Sequence, residues 1–137
     1  MKKLIESVLQ GELCIDIQGG IIKNGTPIKL WEKHGGENQK WILISDGSIV
    51  SALDNKYCLD IQGGIIKNGT PIILWEKHGG ENQKWILTSD GSIVSALDNN
   101  YCIDIQGGIN KNGTPIILWE KHGGENQKWS MKRLSLK

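Results

Sequence analysis

Short runs of alternating apolar and polar residues, broken at close intervals by turn-forming pairs, organise the chain from end to end. Within the first part the breaks fall at Gly19-Gly20, Asn24-Gly25, Gly35-Gly36, Asp46-Gly47 and Asp54-Asn55. The stretches between them are β-branched and too short for helices, so they predict strands. Ile5, Ser7 and Leu9 alternate with Glu6, Val8 and Gln10, which directs the Ile/Leu face inward. Ile15 and Ile17 alternate with Cys14, Asp16 and Gln18, and Ile28 and Leu30 with Lys29 and Trp31. In a fourth strand Trp41 and Leu43 oppose Lys40 and Ile42. Two tryptophans ten residues apart are thereby assigned opposite fates: Trp41 faces the core and Trp31 is displayed.

The pattern then repeats. Cys14-Ile15-Asp16-Ile17-Gln18-Gly19-Gly20 returns at Cys58–Gly64 and at Cys102–Gly108, a period of 44 residues. The segments Cys14–Tyr57 and Cys58–Tyr101 agree at 40 of 44 positions, differing at Ile15/Leu59, Lys29/Ile73, Ile44/Thr88 and Lys56/Asn100. Such identity implies recent duplication or deliberate symmetrisation. Three units of about 44 residues follow, at approximately 4–47, 48–91 and 92–137, forming one domain over 1–137. In the third unit the fourth strand reads Trp129-Ser130-Met131-Lys132, where only the Trp/Met face is apolar, which supports the same parity. About twelve strands in three equal units predict a closed, pseudo-threefold all-β barrel, because closure leaves no unpaired edge.

Composition narrows the function. The formal net charge is +1 with no basic stripe, which gives no footing for nucleic acid held by its phosphates. The apolar runs fall far short of the ~20 residues needed to cross a bilayer, so a soluble protein without membrane insertion is expected. Glu6 and Gln10 interrupt what would be the apolar stretch of a signal peptide after Met1-Lys2-Lys3, and the N-terminus is read as mature structure. Six Trp and no Phe indicate that Trp is used for particular tasks. The three His and three Cys come one per unit, which spreads them around the axis and argues against a shared zinc site. No cofactor is expected.

At Gln39-Lys40-Trp41, Gln83-Lys84-Trp85 and Gln127-Lys128-Trp129 the sequence resembles the Gln-x-Trp signature of ricin-type β-trefoil lectins. The Cys-Ile/Leu-Asp-Ile openings, the Asn-Gly-Thr-Pro turns and the Leu-Trp-Glu-Lys-His segments are similar to that family too, over essentially the whole chain. The resemblance implies a β-trefoil, no catalysis, and up to three sugar sites, most commonly for galactose or N-acetylgalactosamine. It assigns the sugar-binding carboxylates to Asp16, Asp60 and Asp104 and the stacking aromatics to Trp31, Trp75 and Trp119. Polar contacts fall on Asn38, Asn82 and Asn126 and on His34, His78 and His122, while Gln39, Gln83 and Gln127 support the site as much as they touch sugar. Where many relatives pair the first Cys with a second, this chain has Lys33, Lys77 and Lys121, so the disulfide is absent and a cytoplasmic or other reducing or anaerobic setting is favoured.

This set suits a sugar, whose ring offers a C–H face to a flat platform and an edge of hydroxyls to fixed acceptors and donors. A carboxylate accepting hydroxyl hydrogens makes charge-assisted bonds, and the amide and imidazole can donate or accept without adding charge. Other readings stay open residue by residue. Asp16 is also placed to cap the Gly19-Gly20 turn, Trp31 to be an ordinary buried strand residue, and Asn38 and His34 to be loop residues bonded to their own backbone. Glu32 and Glu37 could form a glycosidase pair, but a threefold-repeated set suits binding better than the single cleft that catalysis requires. The expected partners are glycans ending in galactose or N-acetylgalactosamine, bound by a monomer or small oligomer. The rivals are a binding-inert structural or protein-interaction trefoil, a symmetrised design included, a module for xylan or mannose, and an enzyme-targeting module.

Overall fold

The computed structural model describes residues 1–133, and residues 134–137 of the third expected repeat lie outside them. Twelve strands are found among the described residues. The first lobe holds β1 (Lys2–Ser7), β2 (Leu13–Ile17), β3 (Ile28–Glu32) and β4 (Trp41–Leu43). The second holds β5 (Ile49–Ser51), β6 (Tyr57–Ile61), β7 (Ile72–Glu76) and β8 (Trp85–Leu87). The third holds β9 (Ile93–Ser95), β10 (Tyr101–Ile105), β11 (Ile116–Glu120) and β12 (Trp129–Arg133).

The first and fourth strands of the lobes form the barrel. β4 pairs antiparallel with β5 and β8 with β9, each joining one lobe to the next. β12 closes the circle on β1 from Lys3↔Arg133 to Ser7↔Trp129. Within the first lobe β1 meets β4 at Lys3↔Trp41, and at the equivalent places single bonds run from the Trp85 and Trp129 amides to the carbonyls of Gly47 and Gly91, each 2.8 Å. The middle strands make three hairpins, β2–β3, β6–β7 and β10–β11. These cap one end and are tied in a ring: the amides of Leu30, Leu74 and Leu118 donate to the carbonyls of Thr114, Thr26 and Thr70. This is the closed pseudo-threefold barrel that the repeat predicted, in the β-trefoil form that the resemblance implied.

A continuous core explains the inward parity. Ile5, Ile15, Ile17, Ile28, Leu30 and Trp41 pack with their counterparts from the other lobes. Trp41 has 0% of its surface exposed and donates its indole N–H to the Ile15 carbonyl at 3.1 Å, so its one polar group is satisfied in the apolar interior. Trp85 and Trp129 repeat the bond at 3.2 Å on Leu59 and Ile103. Trp31, Trp75 and Trp119 remain 41%, 38% and 38% exposed.

Simple alternation fails at two places. β2 is buried on both faces: Cys14 and Asp16 are covered as fully as Ile15 and Ile17, because Trp31 lies opposite Cys14 and the turn Glu37–Gln39 folds over Asp16. The three cysteines are free, and burial pushes each thiol up to about 12, which makes them inert packing groups. Glu6, expected on the outer face, is also buried, at the repeat position that Val50 and Val94 fill with hydrocarbon. Its Oε1 makes no hydrogen bond, but Lys132 Nζ lies 4.0 Å from Oε1 and Lys33 Nζ 4.0 Å from Oε2.

The Asn-Gly turns supply a link between lobes that alternation does not reveal. Asn24 accepts the Glu76 amide at 2.7 Å and donates to Glu76 Oε1 at 3.1 Å. Asn68 binds Glu120 and Asn112 binds Glu32 in the same way, so each lobe grips the next around the ring.

Candidate functional site

Each lobe gathers its carboxylate, displayed Trp, His and Asn at the edge of its hairpin. β2 carries Asp16 and β3 carries Trp31, and both point to the face away from the barrel core. After β3 the chain turns through Gly35-Gly36 and a short 3-10 turn, Glu37–Gln39, which brings Asn38 and Gln39 back beside Asp16. Gly19 and Gly20 adopt φ of 64° and 65°, a left-handed pair that glycine takes without strain and that bends the chain around the rim.

Gln39 is the support. It is 0% exposed, its amide donates to Asp16 Oδ2 at 2.9 Å and to the Glu32 carbonyl at 2.8 Å, and its oxygen accepts the His34 amide at 3.0 Å. Gln83 and Gln127 make the same three bonds. With every polar hydrogen engaged, these glutamines orient the carboxylates from behind and have no surface left to meet a ligand. Asn38 adds a bond from Nδ2 to Oδ2 at 3.3 Å and another to the Ile17 carbonyl at 3.1 Å. The bonds to Asp16 thus converge on Oδ2.

His34 is half-exposed, with Nε2 3.7 Å from Asp16 Oδ2. The Gly36 amide donates to its Nδ1 at 3.0 Å, which leaves Nε2 to carry the ring proton and donate towards the cavity. Lobes two and three repeat this at 3.8 and 3.9 Å. Burial raises the pKa of Asp16, Asp60 and Asp104, opposed by the bond from the buried glutamine and by the neighbouring histidine.

In lobe one these groups line a cavity of about 280 Å³ together with Gln18, Gly19, Lys29 and, from the third lobe, Gly113. In lobe two a cavity of about 320 Å³ is lined by Asp60, Gly63, Gly64, Trp75, His78 and Asn82. These volumes lie near the small end of the ~300–1,000 Å³ range of ligand pockets, a size for a single ring. An apolar platform beside a fixed carboxylate, an N–H donor and an amide can hold a polyhydroxylated ring by one face and one edge.

Glu32 and Glu37 line neither cavity. Glu32 is held by Asn112, and Glu37 bridges Lys2 and Lys40 at 2.7 Å each.

Sequence reasoning missed two contributors. Gly36 is needed for closeness: a Cβ there would stand 2.6 Å from His34 Cε1 and 2.7 Å from Asn38 Oδ1. Gly80 and Gly124 are placed alike, and the recurring Gly-Gly pair was the available signal. Lys29 was legible as a departure from Ile73 and Ile117, but its place in the cavity was not.

Such a trefoil, with its edge sites, defines a carbohydrate-binding class. The ricin-type beta-trefoil lectin domain matches residues 2–130, and the chain belongs to that family. No curated protein sequence matches it. Among solved structures it is similar to ThreeFoil, a designed threefold-symmetric protein (TM-score 0.89, 23% identity, 97% of this chain and 99% of that one). It is similar to the C-half of an earthworm R-type lectin in complex with GalNAc (TM-score 0.82, 25% identity, 96% and 97%). It also resembles an exo-β-1,3-galactanase from Clostridium thermocellum (TM-score 0.86, 25% identity), covering 97% of this chain and 30% of that one. Among the described residues no helix is long and apolar enough to cross a membrane.

Proposed function

We propose that the protein binds glycans through three near-identical sites, each built for a galactose- or N-acetylgalactosamine-type ring. The observation that carries this is the threefold recurrence of a displayed Trp beside a buried, oriented carboxylate. In this reading Trp31, Trp75 and Trp119 stack on the C–H face of the ring. Asp16, Asp60 and Asp104 accept its hydroxyl hydrogens, while His34, His78 and His122 donate from Nε2. Asn38, Asn82 and Asn126 offer their Oδ1 atoms to the remaining hydroxyls. The galactose class draws support from the earthworm lectin bound to GalNAc and from the galactanase.

A folded core needs neither a displayed Trp and His nor a buried carboxylate beside them, which speaks against a trefoil kept for folding alone. A single small site binds on the order of micromolar to millimolar, or about −8 to −4 kcal/mol. Engagement of two or three lobes on one glycan surface multiplies that by effective concentration without new contacts. Cross-linking or surface attachment is the resulting activity.

A glycan array with free galactose, N-acetylgalactosamine, mannose and xylose as competitors tests the reading. Binding displaced by galactose, and abolished in a folded Asp16→Ala, Asp60→Ala, Asp104→Ala variant, is the expected result. Displacement by mannose or xylose alone replaces the sugar class. Full binding by the triple variant overturns the site, and a folded wild type that binds no glycan overturns the function.

A further inference from the structure

The lobes are not chemically identical at their cavities. At one repeat position lobe one carries Lys29, where lobes two and three carry Ile73 and Ile117. The position lies directly across the hairpin from the carboxylate, with Asp16↔Lys29, Asp60↔Ile73 and Asp104↔Ile117 as Cα partners. Directly opposed residues share a face of the sheet, so this side chain and the carboxylate flank the same space. The two isoleucines are buried, whereas Lys29 is only partly buried and lines the cavity with Trp31 and Gly113.

Among the described residues Lys29 makes no ion pair within 4.0 Å, and Asp16 is already served by Gln39, Asn38 and His34. A strand ammonium whose stem merely covered hydrocarbon would make lobe one behave like its sisters. The charges say otherwise. In lobe two the carboxylate is the single formal charge on the cavity lining apart from the histidine, and it repels an anionic ligand; in lobe three Asp104 likewise faces an isoleucine across the hairpin. In lobe one the ammonium offsets it and offers an attractive group on the side facing the third lobe.

We propose that the first lobe's site takes an anionic sugar, carboxylated or sulfated, with Lys29 recognising the charge while lobes two and three remain sites for neutral sugar. The inference rests on the sugar-binding reading and names the ligand class of one of its sites. The ring stands on Trp31 as a neutral one would, and its acidic substituent lies over Lys29, away from Asp16. Recognition is a charge-assisted hydrogen bond in a half-open site, which supports roughly three- to tenfold discrimination and weakens with salt.

Lobe one is isolated by Asp60→Ala with Asp104→Ala, and lobe two by Asp16→Ala with Asp104→Ala. Each is titrated calorimetrically with galactose, its monosulfated forms and galacturonic acid at low and raised salt. Lobe one is expected to bind at least one anionic form about three- to tenfold more tightly than galactose, a margin that shrinks with salt, while lobe two prefers galactose. Lys29→Ile in the lobe-one background should erase the margin, and Ile73→Lys in the lobe-two background should create one. Whether sulfate or carboxylate gains identifies the acid. Galactose binding without anionic preference in lobe one, or a preference that survives Lys29→Ile, overturns this inference and leaves the sugar reading standing. A wild type that binds no sugar overturns both.

Discussion

Trp31 and Trp41 lie ten residues apart in the same lobe and do opposite work. Trp41 is sealed in the core with its N–H on a backbone carbonyl, so its value is the apolar area it removes from water. Trp31 covers Cys14 across the hairpin yet keeps 41% of its surface exposed beside Asp16, so it adds less to the fold than Trp41 and leaves an apolar face unfilled. Burial alone separates a stabilising aromatic from one available to a ligand. The threefold repeat makes the separation systematic, since Trp85 and Trp129 follow Trp41 while Trp75 and Trp119 follow Trp31.

The contrast breaks most sharply under substitution. Trp41→Ala should cost about 3–5 kcal/mol of stability, read by chemical denaturation. Trp31→Ala, Trp75→Ala and Trp119→Ala should each cost about 1–2 kcal/mol, less than Trp41→Ala, and together remove glycan binding. Equal destabilisation by the two sets would erase the distinction. Gly36→Ala drives a Cβ into His34 and Asn38 and should cost about 1–3 kcal/mol. Binding at lobe one should fall while lobes two and three are spared.

Glu6→Val, which copies the other lobes, should raise stability by about 1 kcal/mol by removing a buried carboxylate oxygen that makes no hydrogen bond and only long ion pairs. A lower melting temperature would show that Lys33 and Lys132 compensate it. The smallest effect is pH-dependent. The folded pKa of Asp16, Asp60 and Asp104 is raised, so their favourable contribution is complete below the unfolded value near 3.8 and is lost as pH rises through the folded value. Replacing all three by Asn should therefore stabilise the fold at neutral pH, with the gain vanishing in acid. Glycan binding by the wild type should fail at a less acidic pH than an exposed carboxylate would allow, followed by competition assays across that window.

Much of this was legible in the sequence. The 44-residue period dictated threefold closure, and strand parity separated the tryptophans because side chains alternate strictly along a strand. The Asp, Trp, His and Asn of each unit come together at one hairpin edge. Parity could not foresee a sheet face covered from outside, so the burial of Glu6 and the depth of Asp16 escaped it. The glutamine was visible as a motif, but its complete burial depends on the 3-10 turn that folds it inward. The link from Asn24 to Glu76 spans 52 residues and leaves no local signal.

That link has a consequence for how such a chain can arise. Each lobe presents an asparagine to one neighbour and receives one from the other, a head-to-tail contact that closes after three turns of the same rotation. An isolated copy would leave one hand empty and one glutamate ungripped, so a peptide of one repeat is predisposed to assemble in threes. Gene duplication and fusion would then only tether what already associates, and breaking the circle at Asp46-Gly47 or Asp90-Gly91 should yield permuted chains that fold to the same ring.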